Sequence, residues 1–327
     1  MPSQSDGNKR AACSATLSMT SNLTVMHERF GDVEALELRE TPEKSLTDSQ
    51  VRITVAVAGL NPVDWQIVES AELAEMFGIS TPSGFGNDFS GVVSEIGSKV
   101  TRWRVGDRVF GGARGAAVAT SIVLDENHRS LRRTPASISD LDAAVLDIAG
   151  RTASAVADAL AAQPGETVLV GAAAGGVGSI LTQLLVRAGA RVIGTGSESS
   201  FEYLRSLGAE PVTYSGDLAG QVAKLAKGPI AAAADLYGTQ AALAALQLGT
   251  PAERIVTIES DDPPTGVRAI GGADARPSAI DELTGLIAAG ELRVPIAAVY
   301  QLSQFTEAVA FQRSRHAHGK VVIEIKH

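Results

Sequence analysis

Three small residues at intervals of three form a turn whose backbone could hold a phosphate group. Ala172, Gly175 and Gly178 follow the apolar, β-branched run Thr167–Val170. Apolar residues then recur in steps of three and four, which predicts a helix. The first amides of a helix lack partners within it, and the positive end of the helix dipole lies there. The unit therefore predicts a pyrophosphate site formed by Ala174, Gly175, Gly176, Val177 and Gly178.

The same spacing has a simpler explanation. The chain contains 33 glycines, so a small-residue turn that binds no ligand is an alternative. The context favours the phosphate site, because a predicted strand precedes the turn and a predicted helix follows it. Gly175 and Gly178 also have no side chains that would keep a phosphate from the backbone or the helix from the strand.

The composition argues against several classes of function. The formal net charge of the 327 residues is −9, which disfavours nucleic acid or an anionic membrane as a partner. The single cysteine, Cys13, excludes an intramolecular disulfide and a cysteine-rich zinc site, and it indicates a reducing, cytoplasmic location. No apolar run is long enough to span a bilayer or resembles the core of a signal peptide. We expect residues 1–18 to be a disordered extension.

The pattern of predicted elements changes near residue 139. Short strands with few helices come first, the clearest being Gln50–Ala58, and they predict a compact β-rich domain. From Thr167 onward strands alternate with helices, which predicts a parallel sheet with helices on both faces. The expected fold class is therefore α/β with two domains. The polar segment Glu259–Arg276 is expected to be a long, mobile loop.

Several further motifs occur in a fixed order along the chain. They are GLNPVDW at 59–65, GNDFSGVV at 86–93, VGDRV at 105–109, LRSLGA at 204–209 and GKVV at 319–322. Together with the phosphate turn, they resemble the zinc-free quinone oxidoreductase (zeta-crystallin-like) branch of the medium-chain dehydrogenase/reductase superfamily. The resemblance implies a GroES-like catalytic domain, residues 19–139 and 300–327. It also implies an inserted Rossmann domain that binds NADP, residues 140–299.

The resemblance also bears on metals. Zinc-dependent alcohol dehydrogenases of the superfamily have Gly-His-Glu where this chain has Gly86-Asn87-Asp88, and their cysteine ligands are missing here. His316 and His318 are interpreted as surface residues. The sequence therefore predicts no metal site and no zinc-activated oxygen in catalysis. Asp88 is expected to order its own loop.

The end of the second predicted Rossmann strand indicates which dinucleotide is bound. NAD sites usually place an acidic residue there, which binds the ribose 2′-hydroxyl and repels a phosphate. Here no acid occurs before Glu198, while Ser197 and Ser200 offer hydroxyl donors. The resemblance puts Tyr214 near the adenosine phosphate, so we expect NADPH. Ser197 also fits a helix cap, and the two roles are compatible.

The resemblance assigns three residues to the nicotinamide end of the cofactor. Asn61 and Thr152 match positions that face the nicotinamide, and Lys320 matches the turn that closes the site. Asn61 has an alternative role as an ordinary turn residue before Pro62.

Departures from the family pattern lie along the expected substrate side of the cleft. Gln66 replaces a tyrosine or lysine of some relatives, and Asp147 and Arg151 are unusual at their positions. We expect Gln66 and Arg151 to line the substrate pocket. Asp147 and Arg151 are four residues apart, so they could form a salt bridge on a helix; alternatively, Asp147 handles a proton near the substrate. The small residues Ala117 and Thr120 are expected to enlarge the pocket.

These features predict a zinc-independent NADPH-dependent reductase of activated C=C bonds, in a quinone or an α,β-unsaturated carbonyl compound. One alternative is a tailoring or trans-acting enoyl reductase, or a redox-neutral cyclase, that acts on polyketide-like intermediates in secondary metabolism. Another is a non-enzymatic NADPH-binding protein. The resemblance also implies a homodimer or tetramer formed through the Rossmann domain, of which we expect the homodimer, and the segment Ala231–Ala245 fits either such an interface or plain core.

Overall fold

The computed structural model describes residues 21–259 and 262–325. The predicted extension at residues 1–18 lies outside this part of the chain. Among the described residues, no helix is long and apolar enough to cross a membrane.

The first half of the chain forms mainly strands. These are β1 (Ser21–His27), β2 (Glu37–Pro42), β3 (Gln50–Leu60), β4 (Ser83–Gly84), β5 (Asp88–Ile96), β6 (Arg108–Gly112), β7 (Ser121–Asp125) and β8 (Arg132–Arg133). Helices α1 (Pro62–Glu69), α2 (Ala71–Met76) and α3 (Asp140–Ala143) accompany them. β3 is central, since it pairs antiparallel with both β5 and β7. Its alternate residues Val51, Ile53 and Val55 are fully buried, as the period-two pattern requires.

The second half alternates strands and helices. In chain order these are α4 (Asp147–Leu160), β9 (Thr167–Val170), α5 (Gly176–Arg187), β10 (Arg191–Gly196), α6 (Phe201–Ser206), β11 (Ala209–Thr213), α7 (Leu218–Leu225), β12 (Ile230–Asp235), α8 (Gln240–Gln247), β13 (Ile255–Thr257), β14 (Arg268–Ala269) and α9 (Ala279–Ala288). The strands form one parallel sheet in the order β11-β10-β9-β12-β13-β14. Their carboxyl ends share one edge, where such sheets bind ligands.

The last part of the chain returns to the first sheet. It consists of β15 (Ile296–Gln301), α10 (Phe305–Arg313) and β16 (Lys320–Glu324). β16 pairs antiparallel with β3 and parallel with β15. The proposed domain boundary at residues 299 and 300 therefore falls inside β15. A GroES-like sheet and a parallel Rossmann sheet together confirm the predicted fold class.

The segment expected to be a structureless loop contains ordered elements in its described part. β14 pairs with the edge of β13, and a 3-10 turn follows at Gly272–Asp274. Val267 is buried, and Ile270 N donates to Thr257 O (2.8 Å). This pairing depends on a neighbour in the folded sheet, so the polar composition of the segment did not reveal it.

Candidate active site

The predicted phosphate turn connects β9 to α5 at the carboxyl edge of the Rossmann sheet. Gly175 caps α5, and the first i to i−4 bond of the helix runs from Ser179 N to Gly175 O (2.9 Å). The amides of residues 176–178 precede that bond, as an anion site at a helix start requires. A β-carbon on Gly178 would lie 2.4 Å from Ala172 O, whereas one on Gly175 would meet only that atom, at 3.4 Å. Glycine is therefore required at position 178, because the start of α5 packs closely against Ala172 and Ala173. Gly175, in contrast, leaves free space beside its backbone.

The turn before β16 packs against the phosphate turn. Gly319 N donates to Ala174 O (3.0 Å), and the rings of His318 and Tyr203 stack with centroids 5.6 Å apart. Gly319 has a φ of +110°, and a β-carbon there would lie 2.2 Å from Pro295 O. Glycine is therefore required at this position. The next residue, Lys320, is directed into the interior of the protein.

Lys320 enters a buried network that joins the two domains. Its Nζ donates to Leu60 O (2.9 Å) and to Asn61 Oδ1. Asn61 Nδ2 donates to Asp88 Oδ2 (3.1 Å), and Asp88 Oδ1 accepts from Ile148 N (3.1 Å). The network thus runs from the closing turn, through the residue that caps α1, to the first turn of α4.

Asp64 is a second buried carboxylate that bonds to Asn61 and so extends the network. Asp64 Oδ2 accepts from Asn61 N (2.7 Å), and Asp64 Oδ1 accepts from Asn87 Nδ2. Because Asp64 is the third residue of α1, it holds the backbone of the cap residue in place. Asn87 Oδ1 is buried without a hydrogen-bond partner among the described residues.

The buried carboxyl groups retain protons more readily than exposed ones. Burial raises the pKa of Asp88 well above its usual value; the Lys320 ammonium opposes this shift, and Asp147 and Asp64 add to it. Burial likewise raises the pKa of Asp64 to about 6. Burial lowers the pKa of the Lys320 ammonium, against the attraction of Asp88 and Asp64. Acidic groups outnumber the one ammonium group in this network, and this imbalance favours the protonated form of its carboxyl groups.

Asp147 is the first residue of α4 and adjoins this network. A β-carbon on Gly112 would lie 2.4 Å from Asp147 Oδ2, so the carboxyl group packs directly against the end of β6. Oδ1 is buried and has no hydrogen-bond partner in the described part of the chain. The following residue, Ile148, binds Asp88 through its backbone N–H. An unpartnered carboxyl oxygen in such a place can accept or donate a proton.

The surroundings of Asp147 favour its protonated form. Burial raises the pKa of Asp147, and Arg151, Arg132, Ser130 and His128 act against that increase. The salt bridge considered between Asp147 and Arg151 is not formed, since Arg151 Nε instead donates to Gly272 O (3.1 Å). Arg151 therefore acts on Asp147 through its charge and fixes the segment after β14.

Gln66 belongs to a bridge between the two domains, which we name the cleft bridge and define as Gln66, Glu259 and Arg315. Gln66 Nε2 donates to Glu259 Oε1 (2.8 Å), and an Nη of Arg315 donates to the same oxygen (3.0 Å). The Arg315 guanidinium also lies over the ring of Tyr237, 3.8 Å from its centroid. Glu259 and Tyr237 belong to the Rossmann domain, whereas Gln66 and Arg315 belong to the GroES-like domain.

The remaining residues assigned to the cofactor lie along the same edge. Thr152 is buried in α4, and its hydroxyl donates to Ile148 O (2.8 Å). Ser197 follows β10, and the buried Ser200 donates its hydroxyl to Ser197 O (2.6 Å), which shapes that turn. Tyr214 follows β11 and is 52% exposed, so its ring is accessible. Glu198 is exposed and lies beyond the end of the strand.

The structure brings some expected residues together and separates others. Asn61, Lys320 and Asp147 meet around Asp88, whereas Ala117 and Thr120 lie elsewhere in the GroES-like domain. Ala117 is fully buried in the GroES-like core, and Thr120 Oγ1 accepts from Leu23 N (3.1 Å). The expectation that these two small residues enlarge the substrate pocket is wrong, because Ala117 fills the core and Thr120 is bonded to β1.

Sequence reasoning missed three residues: Glu259, Arg315 and His128. The first two belong to the cleft bridge, and the Nδ1 atom of His128 is buried without a partner among the described residues. Only Glu259 had a signal in the sequence, because it follows a Rossmann strand at the ligand-binding edge.

The polar side chains that meet at this site are amides, aspartates and an ammonium, and of these only the aspartates are of a type that commonly binds zinc. Within residues 21–259 and 262–325, no group of three or more His, Cys, Asp or Glu residues is placed to hold a metal ion. The phosphate turn, in contrast, fits a dinucleotide.

Two family models match the chain. The alcohol dehydrogenase GroES-like domain matches residues 47–197, and the zinc-binding dehydrogenase family matches residues 130–323, more than half of the chain. Erythronolide synthase EryA2 of Saccharopolyspora erythraea is 33% identical over 183 residues, which are 55% of this chain. The chain spans only 5% of the length of that synthase.

Solved structures match nearly the whole chain. The quinone oxidoreductase from Coxiella burnetii has a TM-score of 0.81 and 27% identity, covering 94% of this chain and 100% of that one. The CurK enoyl reductase has a TM-score of 0.81 and 26% identity, covering 93% of this chain and 99% of that one. With the matching family models, these similarities show that the chain belongs to the medium-chain dehydrogenase/reductase superfamily, with quinone oxidoreductases among its structural neighbours.

Proposed function

We propose that the chain is an NADPH-dependent reductase of activated carbon–carbon double bonds, acting on a quinone or an α,β-unsaturated carbonyl compound without zinc. The observation that carries this proposal is the junction of the phosphate turn with the buried network. Gly319 binds Ala174, and the adjacent Lys320 reaches Asn61 beside Asp88. A dinucleotide that extends from the phosphate turn to the buried network would have its phosphates at the turn and its reacting ring at the network.

Residues of both domains would hold the dinucleotide. Its pyrophosphate would bind the amides of Ala174, Gly175, Gly176, Val177 and Gly178. Its adenosine end would lie near Ser197, Ser200 and Tyr214, and its nicotinamide end near Asn61, Thr152 and Lys320. We favour NADPH over NADH because β10 ends at Gly196 without an acid, and Glu198 is directed to solvent.

When bound, a reduced nicotinamide supplies a hydride to the β-carbon of the substrate. The protein orients the substrate, excludes water and provides the proton that the α-carbon gains. One N–H of Asn61 Nδ2 is used by Asp88, so its other N–H is available to a ligand. We assign the proton to Asp147 Oδ1, which is buried and unpartnered in the described structure. Gln66 and Arg151 would border the substrate pocket.

A second candidate is a tailoring or trans-acting enoyl reductase that acts on a polyketide-like intermediate. The similarity to EryA2 and to the CurK enoyl reductase favours it. The chemistry of the two candidates is the same, and they differ in the size of the substrate.

A homodimer and a cytoplasmic location remain predictions. Within Ala231–Ala245, Ala232, Ala233, Ala234, Ala242 and Ala245 are fully buried in the single chain, so most of the segment is core. Leu243, on α8, is an exposed apolar residue of the segment, with 53% of its surface accessible. Sedimentation of wild type and Leu243→Glu would test whether this position contributes to a dimer.

The experiment that tests the function is a binding titration with NADPH and NADH, followed by absorbance assays with a panel of enones and quinones. Tighter binding of NADPH and its steady consumption would support the proposal. Product formation without NADPH consumption would indicate a redox-neutral cyclase. Binding without turnover of any panel member would favour a non-enzymatic NADPH-binding protein.

A further inference from the structure

Lys320 is unusually placed for a residue expected to contact a cofactor. It is only 3% exposed, and its Nζ donates to Leu60 O and Asn61 Oδ1 in the interior. Its stem passes so close to Gly176 that a β-carbon there would lie 2.7 Å from Lys320 Cδ. The ammonium group is therefore held away from the pyrophosphate amides by bonds of its own.

The bonds of Lys320 decide which way the Asn61 amide faces. Asn61 Oδ1 accepts from a cation, and Asn61 Nδ2 donates to a carboxylate, Asp88 Oδ2 (3.1 Å). A rotated amide would place its NH₂ group against the ammonium and its oxygen against the carboxylate, and both contacts would be repulsive. The remaining N–H of Asn61 is thus presented in one fixed direction.

We propose that Lys320 is a positioning residue, which fixes the Asn61 amide and thereby the nicotinamide end of the site, and does not pair with the phosphates of the dinucleotide. The proposal rests on the proposed function only in assuming a nicotinamide dinucleotide. The closing turn supports the assignment, because Gly319 N binds Ala174 O and so sets the entry point of the Lys320 stem.

The test compares two ligands that differ only in the nicotinamide ring: NADPH and 2′-phospho-ADP-ribose. In Lys320→Met, we expect NADPH binding to weaken about tenfold and 2′-phospho-ADP-ribose binding to change less than about twofold. Equal weakening of both ligands would mean that Lys320 pairs with the phosphates and would overturn the proposal. An unchanged affinity for both would overturn it as well.

Two further variants test whether Lys320 acts through Asn61. Asn61→Ala should show the same selective loss, and Lys320→Met/Asn61→Ala should bind NADPH no more weakly than either single variant. Additive losses would contradict the proposal. Lys320→Met leaves buried carboxylates without their cation, so Lys320→Met/Asp88→Asn, which removes one charge of each sign, replaces it if the single variant does not fold.

Lys224→Met is the matched control, since Lys224 is exposed at the end of α7. Both ligands should bind this variant as they bind wild type. If wild type binds the dinucleotide but reduces no substrate, the proposed function fails while the Lys320 measurement stands. If NADPH does not bind wild type at all, both proposals are wrong.

Discussion

Gly112 leaves the space that the carboxyl group of Asp147 occupies. A β-carbon on Gly112 would lie 2.4 Å from Asp147 Oδ2, closer than two such atoms can approach. Burial favours the protonated form of that carboxyl group, since it raises the pKa of Asp147. Glycine at the end of β6 and aspartate at the start of α4 together place a second buried carboxyl group near Asp88.

Asp147→Asn should lower kcat and kcat/KM about 100-fold, because a positioned general acid contributes about that much or more. Dinucleotide affinity should change little. The protonated form is the donor in wild type, so kcat should fall as pH rises through the raised pKa of Asp147. This decrease of kcat at high pH should be absent from Asp147→Asn. Asp158→Asn, on the exposed side of the same helix, is the control. Unchanged turnover in Asp147→Asn would remove the proton role.

Gly178→Ala should destabilise the protein by about 1–3 kcal/mol and weaken dinucleotide binding, because the added methyl group overlaps backbone. It would lie 2.4 Å from Ala172 O and 2.7 Å from Ala173 Cα. Gly175→Ala is the matched control for folding, since its β-carbon would meet only Ala172 O, at 3.4 Å. Denaturant unfolding should show a loss in the first variant alone. Equal stability of the two would show that the turn is looser than described.

The stabilisation that Asp64 contributes to the fold should decrease as pH rises, whereas that of a carboxyl group with a lowered pKa increases. Burial raises the pKa of Asp64 to about 6, so the folded protein binds this proton more tightly than the unfolded chain. The stabilisation is present below the unfolded pKa of about 4 and is lost as pH rises through about 6, a change of about 3 kcal/mol. The stability of wild type relative to Asp64→Asn should therefore decrease over that interval.

Asp48→Asn is a control of opposite sign. A hydrogen bond from Lys99 lowers the pKa of the exposed Asp48, so its contribution is present above the unfolded pKa and is lost as pH falls. Urea titrations at several pH values would separate the two residues. If the free energies of unfolding of wild type and Asp64→Asn changed with pH in the same way, the raised pKa of Asp64 would be contradicted.

Glu259→Ala should increase the rate of NADPH release several-fold and leave the free energy of unfolding within about 1 kcal/mol of wild type. Glu259 accepts from both Gln66 and Arg315, so its removal opens the cleft bridge. Glu69→Ala is the control: Glu69 lies on the same helix as Gln66 but pairs with Arg313 inside the GroES-like domain (2.6 Å). Stopped-flow release that is equal in both variants would show that the bridge does not retain the ligand.

The sequence was informative wherever structure depends on neighbours along the chain. The small-residue turn before Val177 and the alternating pattern of Gln50–Ala58 predicted their elements, and the order of motifs predicted both sheets. The bond from Lys320 to Asn61 joins residues 259 positions apart, and that from Gln66 to Glu259 joins residues 193 apart. No local pattern encodes such contacts.

Two further outcomes depended on packing that composition does not show. β14 formed in a polar segment because β13 offered a free edge. Ala117 looked like a residue that enlarges a pocket, but a β-carbon on Gly86 would lie only 3.6 Å from its own, so it fills the core. In both cases the neighbour in space, and not the residue type, decided the role.

The most direct test of the central claim uses NADPH deuterated at the transferable position of the nicotinamide, with an enone that wild type consumes. We predict a product that has gained one deuterium at the β-carbon and one proton from solvent at the α-carbon, with one NADPH oxidised per product. A product of unchanged mass, or a reduced product without deuterium at the β-carbon, would contradict the account.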